Sequence, residues 1–493
     1  MAYSSARPSY VKKSWAKPAI VKEPRAIKQW SQYQKAIFNE IANGSGNLHI
    51  EAFAGAAKTS TLCEGFYYVP KGKSCLMCAF NKSIQVELEK RATDTVSVKT
   101  LHSIGYAACR KAFPRIGQPD NKKLEGYIKA ERGDEPETFE VRGNLAKAVS
   151  LCKGYLAESY DEIDQIMDKH DVDTCDDSRE NFIASVIKIM QACKADTSRI
   201  DFDDMIWLPN VLNLKLDKYD FVFIDEAQDL NIAQINLALN SCTKTGRIIS
   251  CGDRNQAIYG FRGADSNAIQ NIIDRCNSKV LPLSVTYRCA KSIVELAKTI
   301  VPEIEHAPNA VEGSVSNIGE NQLENLIKPG DFLISRINAP LLKWCLQLLK
   351  ANTPANILGR DLGKTLLSMI KKSGAKDVES FLSWLDKWRD VEVERLVKAK
   401  RDSSVIEDKV ECFRVLCEGT KSLSDVKDNI ERLFYDGDDK NRVLLSSTHK
   451  IKGMEADNVF MLSSTYRPNK GKEEANLYYV GVSRAKTNLY MVS

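Results

Sequence analysis

The chain has no apolar run approaching the ~20 residues of a bilayer crossing, so no helical membrane span is expected. Its first thirty residues lack the apolar centre of a secretory signal. The 14 cysteines are scattered without a framework of paired spacings, which excludes a small cross-linked scaffold and points to reduced thiols in a cytosol-like compartment. The CxxC spacing at Cys75 and Cys78 sits in an apolar run, with no second pair at zinc spacing, and reads as a core strand. There is no internal repeat. At 493 residues the chain exceeds the roughly 250–300 that one core supports, so several domains are expected. A net charge of +5 is a weak pointer to a polyanionic partner. Its distribution says more: Arg7, Lys12, Lys13, Lys17, Lys22, Arg25 and Lys28 face Glu23 alone, which makes residues 1–28 a basic, disordered arm.

What is present is an alternation of short apolar runs with helical stretches, the pattern of parallel α/β sheets. One group of strands is expected at Leu48–Ala52, Ser74–Phe80, Val96–Thr100, Phe221–Ile224, Arg247–Cys251 and Val280–Leu283. A second is expected at Asp331–Ser335, Ala355–Leu358, Arg442–Ser446, Asn458–Leu462 and Asn488–Val492. The resulting division is a first α/β domain over 29–104 and 200–283 and a second over 284–364 and 441–493. Residues 105–199 and 365–440, helical in period, are read as an insertion into each.

The most informative run is Phe223–Asp229, FIDEAQD. An apolar strand ends there on the adjacent carboxylates Asp225 and Glu226. Nucleoside-triphosphate hydrolysis needs such a pair, one acid for the metal and one to polarise the attacking water. A buried strand ending in a helix cap is the plainer alternative. Upstream, AFAGAAKTSTL follows another strand, and its Lys-Thr opens a helix. Backbone N–H groups of Ala54, Gly55, Ala56, Ala57 and Ser60 would face phosphates, Lys58 would reach the outer ones, and Thr59 would join Asp225 on Mg²⁺. The glycine normally found before the lysine is Ala57, which strains the turn if that position needs a positive φ. Downstream, GDRNQAIYGFRGA places Gln256 to sense the terminal phosphate and offers Tyr259 and Phe261 as stacking surfaces for single-stranded bases.

In order, the chain thus carries AGAAKT, TLHS, DEAQD, GDRNQAIYGFRGA, TYR, STHKIKGMEAD and YVGVSRAK. This series resembles superfamily 1 DNA helicases of the UvrD/Rep/PcrA type, with a flavour of the F-box DNA helicase branch, over nearly everything from Trp30 to Ser493. No F-box is apparent and no further domain fits after Lys486, so the resemblance implies a compact version that would suit a phage genome. It also implies two RecA-like motor domains, each with a mainly helical insertion. Gln34 then resembles the adenine-reading glutamine, Tyr287 the stacking aromatic and Glu455 the ribose contact. Arg288 and Arg484 resemble arginines that reach the γ-phosphate from the second motor domain. Phe80, Asn81, His102, Tyr259, Phe261, Arg336, Thr448, His449 and Lys450 resemble the strand-contacting surface. The implied activity is an ATP-dependent DNA helicase moving 3′→5′ on single-stranded DNA, with ATP and Mg²⁺ as cofactors and Glu226 as general base. The implied partners are single strands and single/double-strand junctions, with replication or recombination proteins beyond them. The implied state is a monomer in cytosol, or in the nucleus of a eukaryote. Two rivals stay open: a hydrolysis-impaired strand-binding or anti-recombination module, and a 5′→3′ helicase of the Dda/RecD-like branch.

Overall fold

The computed structural model describes residues 29–135, 138–170, 172–175, 177–260, 263–265, 267–398, 402–434 and 441–493. The basic arm and Phe261 lie outside the described residues. Fourteen strands are described: β1 (Leu48–Ala52), β2 (Cys75–Ala79), β3 (Val96–Thr100), β4 (Tyr219–Ile224), β5 (Cys242–Gly252), β6 (Lys279–Leu283), β7 (Val285–Thr286), β8 (Glu305–His306), β9 (Ser314–Ile318), β10 (Phe332–Ser335), β11 (Ala355–Ile357), β12 (Val443–Ser447), β13 (Ala456–Leu462) and β14 (Ala485–Val492). Two six-stranded sheets run β3-β2-β4-β5-β1-β6 and β11-β12-β10-β13-β14-β9, with β7 and β8 forming a small separate pair. Every neighbouring pair in both large sheets is parallel. This is the architecture of two RecA-like lobes.

The strands read as continuous apolar runs because both faces are covered. In β4, Phe221 and Phe223 pack into one core and Val222 and Ile224 into another, on the opposite side of the sheet. Cys75 and Cys78 are buried within β2, and all 14 cysteines are free thiols. The strands not anticipated are the two-residue β7 and β8 and the longer β9. The SVSNI sequence of β9 is short, polar at alternate positions and only partly buried, because it sits at the sheet edge.

Helices fill the long intervals. Between β3 and β4 they run from Leu101–Ala112 to Asp204–Val211, and between β11 and β12 from Arg360–Ser373 to Leu423–Leu433. Thr100, in TLHS, is the N-cap of the first of these: its hydroxyl accepts the Ser103 N–H at 3.1 Å.

A knot of buried charge closes the first helical interval. Lys123 Nζ lies 2.6 Å from Asp204 Oδ2, and Lys153 Nζ lies 2.8 Å from Asp204 Oδ1 and 3.0 Å from Asp201 Oδ2. Three backbone carbonyls share the other two Lys123 protons. Such a network tolerates no vacancy, since an unpaired buried ammonium has neither water nor partner. Asp204→Ala is therefore expected to cost about 3–5 kcal/mol of stability in urea unfolding. The same change at half-buried Asp203, whose side chain makes no capping hydrogen bond, is expected to cost under ~0.5 kcal/mol.

Candidate nucleotide and strand site

The lysine-bearing turn joins β1 to the helix Lys58–Gly65. Gly55 takes φ +71°, and a Cβ there would meet Thr286 Oγ1 at 2.4 Å and the Arg288 Cβ at 2.6 Å. The second lobe therefore lies directly against this turn. Its contacts are specific: Tyr287 N–H donates to Gly55 O at 2.9 Å, and Ala54 N–H donates to Tyr479 Oη at 2.9 Å. Ala57 adopts the left-handed conformation, φ 60° and ψ 39°. The turn does need a positive φ at the position where glycine is absent. Ser60, one residue into the helix's first turn beyond Thr59, accepts from Arg91 at 2.8 Å.

Both predicted acids stand beside this turn. Thr59 Oγ1 donates to Asp225 Oδ2 at 2.9 Å, and Lys58 Nζ lies 4.0 Å from Glu226 Oε1. Glu226 is itself left-handed, with φ 49°. Burial, and then the Glu226 charge, push the Asp225 carboxyl up to about 6. Burial presses on Glu226 in the same direction, but Lys58, Lys452, Gln228 and Arg484 together hold its pKa below the ordinary value. Burial also works against the Lys58 charge, and Glu226, Asp253 and Asp225 reverse that and raise its pKa. The outcome is a pair split in character, with Glu226 firmly ionised and Asp225 easily protonated until a cation is supplied.

The amides frame the acids. Gln228 Nε2 donates to Glu226 Oε2 at 2.6 Å, while its Oε1 accepts the Asp253 N–H at 3.0 Å. Gln256 Nε2 donates to Asp253 Oδ2 at 2.6 Å.

Arg484 is 1% exposed and arrives from the opposite lobe. Its guanidinium donates to Val480 O, Met454 O and Ser483 Oγ at 2.8, 3.2 and 2.9 Å. Among the described residues no carboxylate forms an ion pair with it. Burial, and then the nearby Arg288, push it down to about 9. A buried cation without a paired anion is costly, and an anionic ligand would relieve it. Arg288 is held by Glu455 at 2.5 Å and donates to Ser483 O at 3.2 Å. Glu455 also faces Lys486 at 3.5 Å, so its carboxylate is shared between two cations. For Mg²⁺ the donors fit: Thr59 and Asp225 supply two hard oxygens. Among the described residues there is no cluster of three or more His, Cys, Asp or Glu that would hold a metal alone.

Gln34 is buried, with Oε1 accepting the Ser31 N–H at 3.0 Å and Nε2 donating to Thr61 Oγ1 at 2.9 Å. It caps its own helix and ties that helix to the one after the phosphate turn. Tyr287, in contrast, is 46% exposed and offers a free ring face.

The strand-side residues divide. Phe80 is exposed, and Asn81 beside it caps the helix Lys82–Arg91 by accepting the Ile84 N–H at 2.9 Å. His102 lies 4.7 Å from the exposed ring of Phe202, and burial lowers its pKa. Tyr259 Oη donates to His449 O at 3.0 Å, joining the lobes. Lys450 reaches toward Gly359. Arg336 pairs with Glu474 at 2.9 Å. Thr448 is fully buried, its hydroxyl shared with Tyr466 Oη and with Ser335 O at 3.4 Å, so that side chain faces the second lobe's interior.

Two residues escaped sequence reasoning. Phe202 was one aromatic among acids, with no periodic signal. Lys452 is the larger omission. From the second lobe its Nζ donates to both Asp229 carboxylate oxygens and to Gln256 O, each at 2.7 Å, and sits 4.7 Å from the Tyr259 ring centre. Asp229 is pushed up to about 6 by burial, with Lys452 opposing that.

Residues 31–277 match the model of the UvrD/REP helicase N-terminal domain, and residues 442–492 match the UvrD-like helicase C-terminal domain. The chain is 25% identical over 522 aligned positions to F-box DNA helicase protein 1 of Schizosaccharomyces pombe, covering 93% of this chain and 57% of that protein. It is 28% identical over 295 positions to ATP-dependent DNA helicase PcrA of Staphylococcus epidermidis, covering 53% of this chain and 38% of that protein. The corresponding match to PcrA of Staphylococcus aureus is 27% over 295 positions. The aligned regions thus span roughly two-fifths to three-fifths of these relatives.

The raised Asp229 makes a prediction with a definite sign. The native state takes up this proton near pH 6, whereas the unfolded chain waits until about pH 4. The group therefore favours folding more as pH falls from 7 toward 5. The melting temperature of the unchanged chain is expected to rise relative to Asp229→Asn over that interval, and a pH-independent difference would contradict it.

Proposed function

Because the chain belongs to the UvrD/REP helicase family, we propose that it is a motor that couples ATP hydrolysis to 3′→5′ movement on single-stranded DNA and opens duplexes ahead of it. The observation that carries this reading is the convergence of both lobes on Glu226. Lys58 approaches from its own lobe, and Lys452 and Arg484 act on the same carboxylate from the other.

In this reading Glu226 takes the proton of the attacking water, and its depressed pKa keeps it ready as a base. Lys58, Arg288 and Arg484 neutralise charge on the phosphates. Bound Mg²⁺, held through Thr59 and Asp225, would add electrostatic stabilisation at the phosphate oxygens. Tyr287 offers its exposed ring to the base, with Gln34 behind it as the adenine contact and Glu455 toward the ribose. The division into two motor domains over 29–104 with 200–283 and 284–364 with 441–493, each interrupted by a helical insertion at 105–199 and 365–440, belongs to the same proposal.

Lobe closure reaches the strand through Lys452 and Tyr259, which touch each other and span the interface. Phe80, His102 and Phe202 provide exposed or half-exposed rings for bases on the first lobe. Asn81, Arg336, His449 and Lys450 lie in the segments that would contact the backbone.

The deciding assay is phosphate release with and without single-stranded DNA. Strong stimulation in the unchanged chain, with a loss of at least about 100-fold in Glu226→Gln, is expected. Equal, unstimulated rates would leave only a binding module. Unwinding is expected for 3′-tailed duplexes, and activity confined to 5′-tailed ones would reverse the assigned polarity. The left-handed Ala57 favours Ala57→Gly as a gain-of-affinity change, because glycine meets no Cβ penalty there. Roughly three- to tenfold tighter ATP binding is expected, corresponding to about 1 kcal/mol of relieved strain. Binding that appears only in the variant would mean that the native turn does not hold ATP.

A further inference from the structure

A cleft of about 550 Å³ runs along β11, the edge strand of the second sheet. Its volume is within the range of small-molecule sites. Helices Arg360–Ser373 and Leu423–Leu433 form its walls. The floor is apolar, from Leu367, Ile430 and Phe434. Gly363 allows this floor to form, since a Cβ there would meet the Phe434 ring at 3.2 Å. Among the described residues the rim carries Arg360, Lys364, Arg432 and Arg442 together with the carboxylate of Glu431.

Two observations set this apart from an ordinary basic surface. Lys364 and Arg432 form no ion pair with any described residue. More telling is Asn356, at the inner end of the cleft. It is 2% exposed, and among the described residues its Nδ2 has no hydrogen-bond partner. A buried amide donor left unmade costs roughly 1–3 kcal/mol, so this group calls for an acceptor that the described residues do not supply. A buried donor, cationic walls and an apolar floor together suit a ligand that is anionic at one end and flat and apolar at the other.

We propose that this cleft is a second phosphate-binding site, separate from the one at Lys58, that takes one nucleotide unit. The phosphate sits among Lys364, Arg432 and the Asn356 amide, and the base or sugar lies on Phe434 and Leu367. The unit comes from a DNA strand or from free nucleotide. Position favours the strand. Gly359, immediately before Arg360, packs against Lys450, so the mouth of the cleft borders the Thr448–Lys450 element. The choice of DNA as the source rests on the helicase reading, whereas the phosphate site itself does not.

The test compares the full chain with its Lys364→Glu/Arg432→Glu double variant. Both residues are exposed and outside the proposed hydrolytic machinery, so DNA-independent ATPase should be unchanged. Titrations use a labelled single strand, a labelled forked junction, and ADP by calorimetry. The expected result is DNA affinity about tenfold weaker for the strand or the fork, with a salt dependence shallower by roughly 0.7 log units per log unit of salt, the share of one phosphate contact. If DNA binding is unchanged but the ADP stoichiometry falls from two to one, the site stands and its ligand is free nucleotide. Unchanged DNA affinity and salt slope, with a single ADP site in both chains, overturn the proposal. Should the unchanged chain bind no DNA at all, the helicase reading fails by itself, and the ADP stoichiometry alone decides the cleft.

Discussion

The arrangement depends on one carboxylate, Glu226, held at the end of β4 in a backbone conformation that few residues adopt. This half-buried acid stays ionised because cations surround it. Lys58 comes from the adjacent strand-to-helix turn of the same sheet, and Gln228 donates from two residues on. The remaining positive field comes from Lys452 and Arg484, which belong to the other sheet. The charge state of the proposed base therefore depends on how the two halves are packed. If the lobes part, Lys452 and Arg484 withdraw, and burial is opposed by less. Chemistry and domain position are linked through electrostatics without any additional device.

Strain is concentrated at the same place. Ala57 and Glu226 are both non-glycine residues with positive φ, and both border the phosphate turn. Each costs of order 1–3 kcal/mol, which the surrounding core must offset. The reason differs between them. At Glu226 the left-handed turn swings the second carboxylate off the strand direction, so that it faces Lys58 while Asp225 continues toward Thr59. Two acids adjacent in sequence are thereby given separate partners and opposite pKa shifts. At Ala57 no such gain is visible, because the conformation serves the turn and a glycine would serve it equally.

Much of this was legible in the sequence, for a physical reason. Strands covered on both faces must be apolar throughout, so β2, β4 and β10 stand out as uninterrupted runs, and acids or a lysine at their ends are conspicuous. The chain order of those motifs then identified the fold. What stayed hidden depends on contacts across the lobes or on edges. β9 is half exposed and lacks an apolar run. Lys452 looks like any lysine in HKIKG, and only the approach of Asp229, more than two hundred positions earlier, makes it a bridge. Gln34 and Thr448 both make hydrogen bonds within the protein that no sequence pattern announces. An amide or hydroxyl near a site has the same sequence signature whether it holds the ligand or holds the wall.

In the proposed motor, Lys452 would also let two functions share one interface. Its ammonium is divided between a carboxylate beside the nucleotide site, the carbonyl of Gln256 and the face of Tyr259. The first two contacts are fixed in position and strongly dependent on charge, while the third tolerates sliding, since a ring face attracts a cation over a broad area. Displacing Lys452 by an ångström would break hydrogen bonds at 2.7 Å but only weaken the ring contact. A change at the phosphates is thus felt sharply at Asp229 and Gln256 and passed on softly at Tyr259. If Tyr259 stacks on bases as proposed, releasing one base and taking the next would need that softness, because a ring locked as firmly as Asp229 would hold the strand in place.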